Sequence, residues 1–591
     1  MLKEALKQFF QNNSQFLQKN KLLSILLVII AFASICFRFL WLDKFPGGMD
    51  ADQIEVALSI KTFHLFGTDS SGVKFYNSIF SNNTKAGIAA LPSIILAPFA
   101  FFNLNLTNIR TIFVLVNILT IILLALLVND FTNDKRLSYI TFFVGILNPW
   151  LYSYSRMPTE APFALLILVF AIYLLFKKKR KNIFISLPFF ILSFYSYFGF
   201  KPLLYLLVPW LLSLHYLFNS KKDLRKYIIF TLIFIAFSSI YFIFSRLSGS
   251  DTFSRRSAEE LVLLNPESVS VRVDEYRRAS INFPYKDVLI NKYTFTALEF
   301  VRKYTSWISS DFLFWKGDMR GIYIFGDHGL FYLIDFVFMI VGILALNKFK
   351  KLKSVLFSLF IIAPIPTALS LNGDSFYYRG VLFIPVFIIL ISLGINYSYK
   401  KVNNQIRLYY FPFLLFVYMV FFLIFLMFYF FRYPVKQHDN NFLSGRIISS
   451  YLNRNSNSNN IKVITTSPYS LINEYIFYNN LTEESLYQLS KEKNKYIMNN
   501  ITITNECKTE YNSDVLLYDT RVNCNQNFGE EFLVIQNQSD SGVSFKIFND
   551  SLCKSFVTTS YRRSHLISDY NIEMMDNEMF CNRWIQNGKT N

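Results

Sequence analysis

The chain has no Walker phosphate loop, no Gly-x-Gly-x-x-Gly opening a helix after a strand, no His-Glu-x-x-His and no Cys/His metal spacing. Energy from nucleotide hydrolysis is therefore not expected. No internal repeat is evident, which counts against a transporter assembled from related halves. Charge is sparse, at 17% Asp, Glu, Lys and Arg, and cysteine is scarcer, at five in 591 residues. Cys36 lies in an apolar run, whereas Cys507, Cys524, Cys553 and Cys581 share the polar C-terminal region. An even number in an exported domain predicts disulfides, with all three pairings open. Residues 22–42 are longer than a signal-peptide core, and Leu42-Asp-Lys-Phe45 has no small-residue cleavage pattern. A retained anchor is expected there.

What the chain does have is apolar mass. Hydrophobic residues make up 53% and aromatics 18%, and apolar runs repeatedly reach the ~20 residues needed to cross a bilayer. This predicts a polytopic membrane protein. The net charge of +19 would suggest nucleic acid in a soluble protein. Here the basic residues cluster in short loops, around 3–21, 135–136, 177–181, 221–226, 348–353 and 400–407, as they do when charge sets orientation. No nucleic-acid partner is expected.

Reading those clusters as cytoplasmic gives spans at 22–42, 109–128, 137–153, 159–176, 183–199, 202–219, 227–245, 329–346, 354–371, 380–397 and 408–431. The run 87–102 breaks the alternation and carries Pro92 and Pro98, so it is expected to be interfacial or re-entrant. About eleven crossings put the N-terminus inside and the C-terminal region outside the plasma membrane. The predicted fold is all-α and polytopic over residues 1–431, with outer loops at 43–108 and 246–328. An extracytoplasmic α/β domain follows over 432–591. Strand-like runs at 461–465, 515–518, 532–535 and 543–547, with helical patterns at 447–452 and 471–478, support that domain.

Candidate chemistry lies on the predicted outer face. In Phe45-Pro-Gly-Gly-Met-Asp-Ala-Asp-Gln-Ile-Glu55, either Asp50 or Asp52 can cap a helix, act as general base toward an acceptor hydroxyl, or hold Mg2+ or Mn2+. Glu160, in Ser155-Arg-Met-Pro-Thr-Glu160, heads a membrane segment, where an ionisable group is costly unless it is paired or wetted. It is either functional or a helix-start acid paired with Arg156. Lys85, Arg156, Lys201 and Arg379 are cations on a face where cations are unexpected, and they suit a phosphate group or snorkelling to headgroups. Trp315, Asp318 and His328 fall in stretches mixing aromatic and polar residues, suited to an interface or to stacking on sugar.

The order Phe45-Pro-Gly-Gly-Met-Asp-Ala-Asp52, Lys85, Asn148-Pro-Trp-Leu-Tyr-Ser-Tyr-Ser-Arg156 with Glu160, and Tyr195-Ser-Tyr-Phe-Gly-Phe-Lys201 resembles the membrane glycosyltransferases of the C-type (GT-C) fold. Within them it is most similar to the family 39-like branch of protein O-mannosyltransferases and lipid A aminoarabinose transferases. The similarity runs through Ser310-Asp-Phe-Leu-Phe-Trp-Lys-Gly-Asp318, Gly329-Leu-Phe-Tyr-Leu-Ile-Asp335 and Arg379. It implies transfer of a sugar from a polyprenyl-phosphate donor to an exported protein, glycan or lipid acceptor at the outer membrane face, without a cofactor. The family's key acid falls on Asp52, the later acid on Glu160, and its phosphate-binding lysines on Lys85 and Lys201, with Arg379 a further phosphate ligand. Many relatives carry Asp-Glu where this chain has Asp52-Gln53, and a histidine often seen near the Lys201 turn is an aromatic here. The alternatives are an oligosaccharide or polymer transferase using a lipid diphosphate and a divalent metal, and a lipid or solute transporter.

Overall fold

The computed structural model describes residues 21–81, 88–177, 182–218, 223–247, 266–318, 328–370, 377–436, 443–456, 460–483, 490–492, 495–507, 514–524, 532–536, 543–557 and 566–588. Lys85, the first cationic cluster up to residue 20, and 248–265 and 319–327 of the predicted outer loop 246–328 lie outside the described residues. The chain is mostly helical and forms two compact units. One unit comprises Met1–Leu40, Tyr76–Pro92 and Ile112–Leu426; the other comprises Trp41–Phe75, Ser93–Thr111 and Met427–Asn591.

Helices fall at the predicted membrane runs, and among the described residues five are long and apolar enough to cross a membrane: Leu106–Thr132, Phe200–Phe218, Leu224–Ser245, Phe383–Lys401 and Asn404–Val435. They mark the chain as a membrane protein. Other apolar helices, including Glu160–Phe176, Ile183–Ser196 and Leu333–Leu346, are shorter than the five, because prolines and capping residues cut the apolar runs. The run 87–102 becomes a short helix, Ala90–Leu96, that tightens into a 3-10 turn over Ala97–Phe102. Pro98 lies in that turn's first positions, where its missing N–H costs no hydrogen bond.

Within the first unit, Glu160–Phe176 is apolar on every side and buried on nearly every side, as such a helix must be. The helices Leu224–Leu247 and Asn404–Met427 instead leave Leu232, Phe237, Ile243, Phe413, Phe416 and Leu423 exposed. Leu333–Leu346 and Phe383–Lys401 approach backbone to backbone: a Cβ on Gly342 would lie 1.9 Å from the Leu390 carbonyl oxygen, and one on Gly394 would lie 1.8 Å from that of Phe338. Only glycine permits this crossing.

The second unit is built on an eight-stranded sheet, β1 (Ile461–Ile464), β2 (Ser490–Glu492), β3 (Lys495–Met498), β4 (Ile501–Thr504), β5 (Val515–Asp519), β6 (Leu533–Gln536), β7 (Val543–Phe548) and β8 (Gln586–Asn587), in the order β2-β3-β4-β1-β5-β7-β6-β8. The strand β1 is parallel to β4 and β5, and every other pairing is antiparallel. It is buried along its whole length and so reads as a continuous run, whereas β5 alternates. Helices of this unit include α1 (Ala51–Phe66), α2 (Leu443–Asn455), α3 (Pro468–Tyr478) and α4 (Asn577–Trp584). The helix α3 packs on α2 along one side and on α1 along another. Disulfides join Cys507 to Cys524 and Cys553 to Cys581, which selects one of the three pairings.

Candidate active site

The two neighbouring aspartates are in different situations. Asp50 is the N-cap of α1: its Oδ1 accepts from the Gln53 amide at 2.7 Å and its Oδ2 from the Gln53 side-chain amide at 3.2 Å. Asp52 stands in the first turn, partly exposed, on a helix otherwise buried from Gln53 to Phe63.

The loop before α1 is held by its carbonyls. Arg110 donates to the carbonyls of Leu42 and Gly48, both at 2.7 Å. Arg446 on α2 donates to those of Gly47 at 2.7 Å and Asp43 at 3.1 Å, while its other edge forks onto Glu573 at 2.6 and 2.7 Å. A planar guanidinium can serve both partners at once. Although burial pushes Glu573 upward, the paired Arg446 holds its carboxyl below the usual range.

Three residues beyond Asp52, Glu55 is almost fully buried. Its carboxylate accepts from the Ser70 hydroxyl, from the Tyr469 hydroxyl at 2.7 Å and from the Asn473 amide at 3.3 Å. Burial raises its pKa, the hydroxyls of Ser70 and Tyr469 oppose that rise, and nearby Asp69 adds to it. On α3, Glu474 is buried beside Gly445 of α2, where a Cβ would fall 1.6 Å from its Oε2. Burial pushes Glu474 up to about 8, against the Ser470 hydroxyl and Arg521, with Asp50 raising it further.

The remaining sequence-predicted residues belong to the first unit. Glu160 opens its helix, buried, with Oε2 accepting from the Ala89 amide at 3.0 Å. Arg156 is wholly buried and donates to the carbonyls of Phe37 at 3.0 Å and Leu40 at 2.5 Å. Arg38 is likewise buried; it donates to Asn117 at 3.1 Å, Leu151 at 3.0 Å and Ile146 at 2.8 Å. Asn148 caps the helix Pro149–Tyr154 and donates to the Leu330 carbonyl at 3.1 Å, so Asn-Pro-Trp is a helix start with proline in its favoured place.

Lys201 is buried with its ammonium 4.0 Å from the Tyr241 ring centroid and 5.1 Å from that of Phe198. Arg379 and Lys303 both donate to Ser370, through its hydroxyl and its carbonyl respectively. Asp318 is buried, Trp315 is exposed, and His328 packs its ring on Tyr332 and Phe425 with Nδ1 2.6 Å from the Gly329 carbonyl. The candidates are therefore shared between the units, with Asp50 and Asp52 in one and Glu160, Arg156, Lys201, Arg379, Trp315, Asp318 and His328 in the other.

Sequence reasoning missed Arg38, Arg446, Tyr469, Asn473 and Glu474. Arg38 carried a signal, a charge inside an apolar run. The others sit on polar helices where a charged or amide residue is unremarked until burial shows it. Comparison with known proteins gives no family model that matches the chain and no curated protein that matches it.

Proposed function

We propose that this chain is an integral membrane glycosyltransferase of the GT-C fold, moving a sugar from a polyprenyl-phosphate donor to an exported or lipid-linked acceptor at the outer face of the plasma membrane. Asp52 is the general base. The observation that carries this reading is the division of labour in the first turn of α1: Asp50 takes the cap, and Asp52 keeps a partly exposed carboxylate on a buried, fixed helix. A base needs that combination of access and immobility.

In this mechanism Asp52 takes the proton from the acceptor hydroxyl as its oxygen attacks the anomeric carbon. The bond to the donor phosphate breaks, the sugar inverts, and polyprenyl phosphate leaves as a monoester. Lys85, Lys201 and Arg379 supply the positive charge the leaving phosphate requires, and Glu160 holds the Ala89 amide. About eleven crossings, with the N-terminus inside, bring these groups to the outer face.

The test is Asp52→Asn in reconstituted protein. Turnover is expected to fall by about 100-fold or more, within the range for loss of a general base, while donor binding and folding persist. Full activity in that variant overturns the assignment.

A further inference from the structure

Between Trp41 and the first turn of α1, the segment that carries Asp52 is anchored by side chains far along the chain. Arg446 takes the carbonyls of Asp43 and Gly47. The Tyr478 hydroxyl accepts from the Met49 amide at 2.9 Å, one residue before the cap. Tyr469 and Asn473 take the Glu55 carboxylate, one turn after the cap. Lys61 donates to the Asn480 side chain at 2.8 Å near the other end of α1.

These contacts have a common source. Tyr469, Asn473 and Tyr478 all lie on α3, Asn480 comes just past its C-cap Asn479, and Arg446 lies on α2 beside it. Tyr469 and Asn473 stand one turn apart on one side of α3 and meet Glu55 of α1, while Tyr478, at the C-terminal end of α3, meets Met49 in the loop before α1. Gly445 lets α2 approach the Glu474 side chain of α3, which fixes the two helices against each other. The hydrogen bonds bracket residues 50–52 on both sides.

We propose that α3, braced by α2, is the positioning element of the active site: Tyr478 and Tyr469, acting on Met49 and Glu55, set the place and direction of the Asp52 carboxylate. This rests on the reading of Asp52 as the base. It gives the C-terminal sheet region a part in the reaction itself, through positioning residues that do not touch substrate.

The test uses the full chain in proteoliposomes, with Tyr469→Phe, Tyr478→Phe and the double variant. Each change removes one hydroxyl and no packing volume. Tyr518→Phe, which removes a hydroxyl on β5 that donates to the Val522 carbonyl in the same unit, is the control. Two quantities are read, the split between kcat and donor KM, and amide hydrogen exchange over residues 47–55. The double variant is expected to lose about tenfold or more in kcat, as misplacement of a reacting group does, with donor KM unchanged and faster exchange confined to 47–55. The control is expected to lower thermal stability with kcat retained.

Unchanged kcat and unchanged exchange in the double variant overturn the proposal, as does an equal loss of kcat in the control. If the double variant fails to fold, the single variants are judged by the same two readings. If wild-type protein transfers sugar from no polyprenyl-phosphate donor, the functional reading fails separately. Exchange then decides: local acceleration over 47–55 upholds α3 as the clamp, and its absence removes it.

Discussion

Asp50 and Asp52 differ by two positions and by what their oxygens meet. Asp50 accepts two hydrogen bonds from Gln53, so Asp50→Ala removes a cap and should cost about 1 kcal/mol of stability, within the usual range for such a change. Asp52→Ala should cost little stability, and thermal denaturation of the two purified variants separates the roles. The sequence allowed either aspartate to be the cap, because both precede the same helical run. The choice was made by the backbone at Asp50, which is extended where a cap must be and leaves Asp52 inside the first turn. Glu474 gives a pH test at this scale. Its folded pKa lies near 8 against an ordinary value of 4.5, raised first by burial. The folded state then holds the proton more tightly, so this group's stabilisation is complete below about pH 4.5 and is lost as pH rises through about 8. The melting temperature of wild type relative to Glu474→Gln should therefore decline across that window. A difference that stays constant with pH would show Glu474 to be ionised throughout.

Among the elements, β1, β5, β6 and β7 coincide with the strand-like runs, and α2 and α3 with the helical patterns. Long apolar stretches and clear period are what a sequence displays best. The strands β2, β3 and β4 were not legible: three or four residues each, set among Asn and Lys, they owe their pairing to the hairpin β3-β4 and to the edge of β1. The disulfides act on this same small sheet region. Cys553–Cys581 closes a separation of 28 residues, and replacing both cysteines by serine should destabilise the second unit by about 3–4 kcal/mol on the loop-closure account. Urea denaturation followed by tryptophan fluorescence, comparing the variant with and without Trp584 replaced by Phe so that the signal of that residue, one turn after Cys581 on α4, is isolated, would measure it.

Across the whole molecule, the apolar runs announced the helices, and their lengths decided less than expected. Five of the described helices have the length and composition to cross a membrane. Runs such as 137–153 are divided at Asn148, where the side chain caps the second helix and ends the first. Composition averages over such a break, and capping geometry does not. The membership of the units was the least legible feature. Residues 41–75 stand far from 427–591 in sequence yet form one compact unit with them, through Arg446, Tyr469, Asn473 and Tyr478, whose polar side chains give no periodic signal. Function enters at this scale as well, since the proposed reaction needs a lipid-borne donor and an Asp52 held still at the membrane surface. The most direct measurement is transfer of radiolabelled sugar from a panel of polyprenyl-phosphate sugars by the reconstituted protein, comparing wild type with Asp52→Asn, with and without chelator. Release of polyprenyl phosphate that depends on Asp52 and survives chelation is the predicted result. Transfer that persists in Asp52→Asn, or that chelator abolishes, would contradict it.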